Sequence, residues 1–170
     1  MYKPKIKARQ PENYEKAYDY AIYLLNLQLR TSGELEYKMQ DKGYAAEAIH
    51  KVLEELTASR YIDDLRYAEV YLENLKKYKT FGFYGIKKKL MAKRLPQNLI
   101  ERVLAEGLSE EEELKIARRL MMKQEFRIKN QGEGPGNSPT EDGQVKIKQK
   151  IAQKLRARGF RSGVIAKLVF

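Results

Sequence analysis

The chain reads as an all-α protein of three tandem three-helix repeats forming an elongated, curved molecule, and three observations lead there. Apolar residues recur at helical spacing: Tyr14, Ala17, Ala21, Leu25 and Leu29 stand three or four apart, as do Ala68, Tyr71, Leu72 and Leu75. No stretch alternates strictly enough to argue for a strand. The sequence also matches itself. "LEYKMQDKGYAAEAIHKVL" (35–53) aligns without a gap to "IKKKLMAKRLPQNLIERVL" (86–104) at an offset of 51 and to "IAQKLRARGFRSGVIAKLV" (151–169) at an offset of 116.

Five apolar columns carry the alignment: Leu35, Ile86 and Ile151; Met39, Leu90 and Leu155; Tyr44, Leu95 and Phe160; Ile49, Ile100 and Ile165; Val52, Val103 and Leu168. The organisation that follows is a basic N-terminal tail (1–13), a first repeat (14–62), a second (63–108) and a third (109–170). A unit of about 50 residues buries little core alone, so neighbours are expected to share hydrophobic surface.

Each element has a local reason. First helices are expected over about 14–29, 65–78 and 111–128. Second helices end near Gly43, Arg94 and Gly159, glycine suiting the left-handed residue just past a helix end. Thr31 and Glu34 have capping-box spacing at the start of a second helix. Pro96 is placed as a first helical residue. The third repeat is interrupted by "NQGEGPGNSPTEDG" (130–143), whose glycines, prolines and small polar residues predict a loop or flexible linker.

The inventory excludes several chemistries. There is no cysteine and a single histidine, His50, which rules out disulfides, thiolate zinc sites and Ser–His–Asp or Cys–His nucleophilic machinery and leaves His50 as a surface or cap residue. No cofactor or catalytic site is expected. No apolar run approaches a membrane span, and the basic N-terminus lacks the apolar core of a signal peptide, so the expectation is a cytoplasmic protein with no membrane partner. "SEEEE" (109–113) reads as acidic charge at a helix start capped by Ser109 rather than as a metal cluster.

The most chemical-looking motif is "YIDD" (61–64), which mimics the paired aspartates of a polymerase metal site. A polymerase would need a hairpin and a third acid on a sheet, whereas helical patterns flank this motif. Asp63 is read instead as an N-cap and Asp64 as a first-turn residue favoured by the helix dipole, with Ile62 and Tyr67 spaced as a hydrophobic staple.

With the repeats, "RTSGEL" (30–35) and "YIDDLRYAEVYL" (61–72) in view, the chain resembles the bacterial RecX family of regulatory proteins. Its arginine–serine–acidic–leucine helix start is similar to Arg30, Ser32, Glu34 and Leu35; its tyrosine–aliphatic–Asp–Asp signature to Tyr61, Ile62, Asp63, Asp64, Tyr67 and Ala68. The basic–glycine–aromatic element is similar to Lys42, Gly43 and Tyr44, and to Arg158, Gly159 and Phe160. The resemblance covers about residues 14–170. It implies a non-enzymatic modulator that lies along the groove of the RecA–DNA filament, restraining ATP hydrolysis, strand exchange and filament growth in recombination and DNA repair. Arg94 stands where the glycine would be, so that helix end is expected to be shaped differently.

Charge points to where a partner would bind. The chain has 34 Lys and Arg against 23 Asp and Glu, a net charge of +11. Residues 75–94 and 144–170 contain no acidic residue and eight cations each, so the surplus is segregated. Lys146, Lys150, Lys154 and Arg158 are four apart and form one row; Lys89 with Lys93, and Lys38 with Lys42, repeat the placement. The candidate partner- or DNA-binding residues are Lys87, Lys88, Lys89, Lys93, Arg94, Lys146, Lys150, Lys154, Arg156, Arg158 and Arg161. The partner implied by the resemblance is the RecA nucleoprotein filament, bound by a monomer; the alternative is a helical-repeat protein that binds single- or double-stranded DNA directly. In "YKTFGFYG" (78–85), Tyr78, Phe81, Phe83 and Tyr84 are expected mainly between helices, with stacking on bases or a protein partner as the other use.

Overall fold

The computed structural model describes Ala8, residues 10–131 and residues 141–169. Nine helices, and no strand, occur among these residues: α1 (Tyr14–Leu27), α2 (Ser32–Lys42), α3 (Ala46–Ala58), α4 (Asp64–Tyr78), α5 (Phe83–Met91), α6 (Gln97–Gly107), α7 (Glu110–Gln131), α8 (Glu141–Ala157) and α9 (Ser162–Val169). The three-helix sets α1–α3, α4–α6 and α7–α9 are the repeats expected from self-alignment. Of the fifteen residues in its apolar columns, all but Tyr44 and Leu168 are buried, and those two are half-buried. The stretch read as a loop at 130–143 is partly helical, since α7 runs to Gln131 and α8 begins at Glu141. Its middle, residues 132–140, and most of the basic tail lie outside the described residues.

Two compact units gather the contacts. The first comprises the described residues up to Ala68 together with Met91–Leu99, and the second comprises Glu69–Leu90 and the described residues from Ile100 onward. In the first, α1, α2 and α3 enclose Ala17, Ala21, Leu24, Leu35, Met39, Ile49, Val52, Leu56 and Ile62. The small alanines let α1 approach its neighbours closely. In the second, Leu72, Ile86, Leu90, Leu104, Ile116, Leu120, Ile151, Leu155 and Val164 are buried from six different helices.

Helix ends follow the capping chemistry read from the sequence. Asn13 Oδ1 accepts the Lys16 N–H at 2.8 Å, Thr31 and Glu34 form the reciprocal capping box, and Ser109 Oγ accepts from Glu112 N at 3.2 Å. Pro96 lies immediately before α6 rather than inside it, because the helix starts at Gln97.

Arg94 corrects an expectation. The helix end it closes has the left-handed geometry of its two glycine counterparts: φ is 54° at Arg94, 94° at Gly43 and 76° at Gly159. A residue with a Cβ loses about 1–2 kcal/mol in that conformation. Part of this is offset by the Arg94 guanidinium, which lies 3.8 Å over the Tyr37 ring. Replacing Arg94 by glycine should therefore leave stability nearly unchanged, the backbone relief balancing the lost stack. Arg94→Ala loses the stack without the relief and should be about 1 kcal/mol less stable than Arg94→Gly in urea unfolding.

Candidate functional site

The candidate cations fall into two groups that sequence spacing does not separate. On α8, Lys146 and Lys150 are exposed, as is Lys148 between them. One turn further the same row turns inward. Lys154 donates to Gln124 Oε1 at 2.9 Å, and the half-buried Arg158 lies 5.1 Å over the Phe81 ring. The row is thus not one free face: from Ile151 onward α8 is packed into its unit through Ile151, Ala152 and Leu155. Arg156, on another side of the helix, is exposed with no ion pair among the described residues. Arg161 donates from Nε to Glu113 Oε2 at 2.5 Å.

The α5 cations divide similarly. Lys88 is exposed, Lys87 reaches Glu101 Oε1 at 3.4 Å, and Lys89 lies 5.3 Å over Phe81. In the first unit, Lys93 bridges to Glu34 Oε1 at 3.1 Å and covers the Tyr67 ring, while Arg94 covers Tyr37. Lys42, on α2, lies over Tyr20 at 5.6 Å. Among the described residues of the acid-free segments, those left open to a partner are therefore Lys79, Lys88, Lys146, Lys148, Lys150 and Arg156. Lys93, Lys154, Arg158 and Arg161 are committed within the protein.

What holds Lys93, Arg158 and Arg161 is a junction that occurs twice. In the first unit, the Thr31 hydroxyl donates to the Lys93 carbonyl at 2.5 Å. Ser32 donates its N–H to Asp64 Oδ1 at 2.8 Å and its hydroxyl to Oδ2 at 2.5 Å. In the second unit, Gly82 N donates to the Arg158 carbonyl at 3.1 Å, Tyr84 N to the Gly159 carbonyl at 2.8 Å, and Phe83 N to Glu113 Oε1 at 2.9 Å. The offset of 51 that aligns the repeats maps Thr31 onto Gly82 and Ser32 onto Phe83. In both cases the first N–H of a second helix is satisfied by a carboxylate from the next repeat's first helix, and the residue before it bonds the carbonyl of the next repeat's turn.

This gives the acidic residues roles that spacing alone did not indicate. Asp63 is the expected N-cap, accepting from Arg66 N at 2.9 Å. Asp64 has in addition both carboxylate oxygens on Ser32 of the preceding repeat. Ile62 is buried in the first core and Tyr67 is half-buried beneath Lys93. Within "SEEEE", Glu113 is fully buried on Arg161 and two backbone N–H groups, Glu112 pairs with Lys76 at 2.8 Å, and Glu110 pairs with Lys167 at 2.5 Å. The Lys167 hydrogen bond and charge hold the Glu110 carboxyl below its usual range. No three acidic or histidine side chains among the described residues are grouped to hold a metal. His50 is exposed and faces Glu54 at 3.2 Å. Of the aromatics, Phe81 and Phe83 are half-buried as expected, whereas Tyr78 and Tyr84 are 67% and 59% exposed.

This architecture is that of a helical-repeat protein, and its relatives give it a family. Residues 17–56 match the family described as RecX, first three-helix domain. The chain is 32% identical over 154 residues to the regulatory protein RecX of Haemophilus influenzae strain PittEE, covering 90% of this chain and 92% of that one. It is 28% identical over 158 residues to regulatory protein RecX of Geobacillus kaustophilus, where it spans 93% of its own length but 54% of the relative's. Its fold is similar to the crystal structure of RecX from Lactobacillus salivarius, with a TM-score of 0.75, 24% identity and coverage of 91% and 92% of the two chains. The chain belongs to the RecX family of regulatory proteins. No helix among the described residues is long and apolar enough to cross a membrane.

Two outcomes follow from the junctions. Glu113→Ala leaves Arg161 and two N–H groups without their acceptor and should lower unfolding free energy by about 3 kcal/mol in urea titrations. For Lys93, burial works against the ammonium, but hydrogen bonds to Tyr67 and Glu34 outweigh it and hold its pKa above the usual lysine value. A raised folded-state pKa contributes stability that is fully present below the unfolded value, about 10.4, and is lost as pH climbs through the folded value. The stability advantage of the parent protein over Lys93→Met should accordingly be largest at pH 9 and shrink by pH 11.5, measured as paired urea midpoints.

Proposed function

We propose that this protein restrains the RecA–DNA filament, acting as a monomer that docks basic helices into the filament groove and so slows ATP hydrolysis and strand exchange. Membership of the RecX family supports the regulatory class. The observation that carries the finer reading is a set of cations with no ion pair among the described residues, Lys88 on α5 and Lys146, Lys148, Lys150 and Arg156 on α8, drawn from two segments with no carboxylate of their own. Unneutralised like charges this close on one helix destabilise it in isolation. They become favourable when an anionic surface is brought up to them. The action would be steric and electrostatic, with no bond made or broken.

The second reading is a helical-repeat protein that binds DNA with no filament partner, and the same cations favour it. The two readings differ in dose and in salt response. Direct binding to bare DNA should weaken with salt with a logarithmic slope of about 0.7–0.9 per phosphate contacted. A filament regulator should act at protein levels well below those that coat bare DNA.

The triple substitution Lys146→Glu, Lys150→Glu, Arg156→Glu spares every cation committed within the fold. It should reduce inhibition of DNA-dependent ATP hydrolysis by RecA at least tenfold in the protein concentration required, with helical circular dichroism intact. Undiminished inhibition by the folded triple variant would remove the basic surface from the mechanism.

A further inference from the structure

The two junctions are built alike in their hydrogen bonds but oppositely in their side chains. At the first, the helix start offers Gly33 and the turn offers Arg94; a Cβ placed on Gly33 would strike the Arg94 carbonyl oxygen and Cβ. At the second, the corresponding residues are Tyr84 and Gly159, and a Cβ placed on Gly159 would strike the backbone of Tyr84 and Gly85. Each contact carries one side chain, and the two repeats supply it from opposite partners, Arg94 from the turn at the first and Tyr84 from the helix start at the second. At the first junction that side chain is closed off: the Arg94 guanidinium lies on the Tyr37 ring. The position matching Tyr37 is Lys88, which offers no ring, and the position matching Arg94 has no side chain at all.

What results in the second unit is an open cleft of about 550 Å³, lined by Tyr84, Arg156, Gly159, Phe160, Ser162 and Ile165. This is within the roughly 300–1,000 Å³ of small-ligand sites. Tyr84 is firmly placed: its N–H is bonded to the Gly159 carbonyl, and its ring meets Phe83 edge-on at 5.4 Å. Even so, 59% of the residue is exposed. Phe160 and Ile165 supply an apolar floor, and Arg156 stands at the wall without an ion pair among the described residues. A side chain at Gly163 would meet no neighbour, so the rim at the start of α9 is open. The carboxylates that contact α9 and the turn before it are neutralised, Glu110 by Lys167 and Glu113 by Arg161. All of the lining residues come from the two acid-free segments.

We propose that this cleft is a nucleotide site for a single strand, with one base stacked on the Tyr84 ring and its phosphate held by Arg156. A pre-placed ring with a free face, an apolar floor and one unpaired guanidinium fit a planar group joined to an anion. Arg156 would repel a partner's arginine from the same ring. A base inside a duplex has no free face, so the site favours single strands. This reading does not depend on a RecA partner, and bare DNA suffices to test it.

The test is fluorescence anisotropy of a labelled oligo(dT) 12-mer and of a duplex of the same length, titrated at several salt concentrations. Tyr84→Ala should weaken single-strand binding about tenfold, leave duplex binding nearly unchanged and leave the salt slope intact. Tyr84→Phe, which keeps the ring, should bind as the parent does. Arg156→Gln should lower the salt slope by about the 0.7 that one single-strand phosphate contributes. Equal single-strand affinity for parent and folded Tyr84→Ala overturns the proposal, and so does equal weakening by Tyr84→Ala and Tyr84→Phe. If Tyr84→Ala spares oligo(dT) binding but abolishes inhibition of RecA, the cleft reads protein and the nucleotide assignment fails, while the filament reading stands.

Discussion

The first N–H of the second helix in each of the first two repeats finds its acceptor in the next repeat, and much of the architecture follows from that. An α-helix leaves its initial donors unsatisfied, and burying them without acceptors would cost on the order of a kcal/mol or more each. Here Asp64 accepts from Ser32 and Glu113 accepts from Phe83, each carboxylate reaching back from the next repeat. The turn carbonyls of Lys93 and Arg158 take the neighbouring donors. A repeat is therefore completed by its successor. This is why the first compact unit takes in the start of α4 and residues 91–99 as well as α1–α3.

Placing a carboxylate at each junction constrains the cations too. Glu113 is fully buried and needs Arg161 beside it, and Glu34 holds Lys93. A strongly basic chain has cations to spare for this, and what is left over defines the surface. Among the described residues, Lys79, Lys88, Lys146, Lys148, Lys150 and Arg156 are the remainder of the acid-free segments once the structural pairs and ring contacts are made. The free cations and the scaffold thus draw on the same segments of lysine and arginine, and only geometry separates them.

Close backbone approach sets a further limit. Where the start of one helix abuts the turn of the next repeat the backbones approach closely, and the repeats place the side chain differently: Arg94 opposite Gly33, and Tyr84 opposite Gly159. The first arrangement closes over Tyr37; the second leaves a ring at the edge of a cleft. Repetition followed by local exchange of large and small residues gives one scaffold two different surfaces.

The helices, their caps and the three-fold repetition were legible in the sequence because they depend on short-range rules. Apolar periodicity fixed which faces are buried, and the caps made by Thr31, Asp63, Ser109 and Gly43 reach no further than four residues. The rejection of "YIDD" as a metal site rested on the same local grounds. What spacing could not supply was the long-range partner of each charged group. Lys150 and Lys154 are equivalent on a helical wheel, yet one is exposed and the other is bonded to Gln124. Asp64 looked like a dipole residue until Ser32 came within reach, and Glu113 is indistinguishable from its three glutamate neighbours by sequence alone. Arg94 was expected to alter its helix end, but it adopts the glycine conformation with Tyr37, far off in sequence, beneath its guanidinium. Local composition determined the elements and the sign of the surface. Tertiary packing decided which charges are structural and which are free, because that depends on residues brought together from 30 to 60 positions apart.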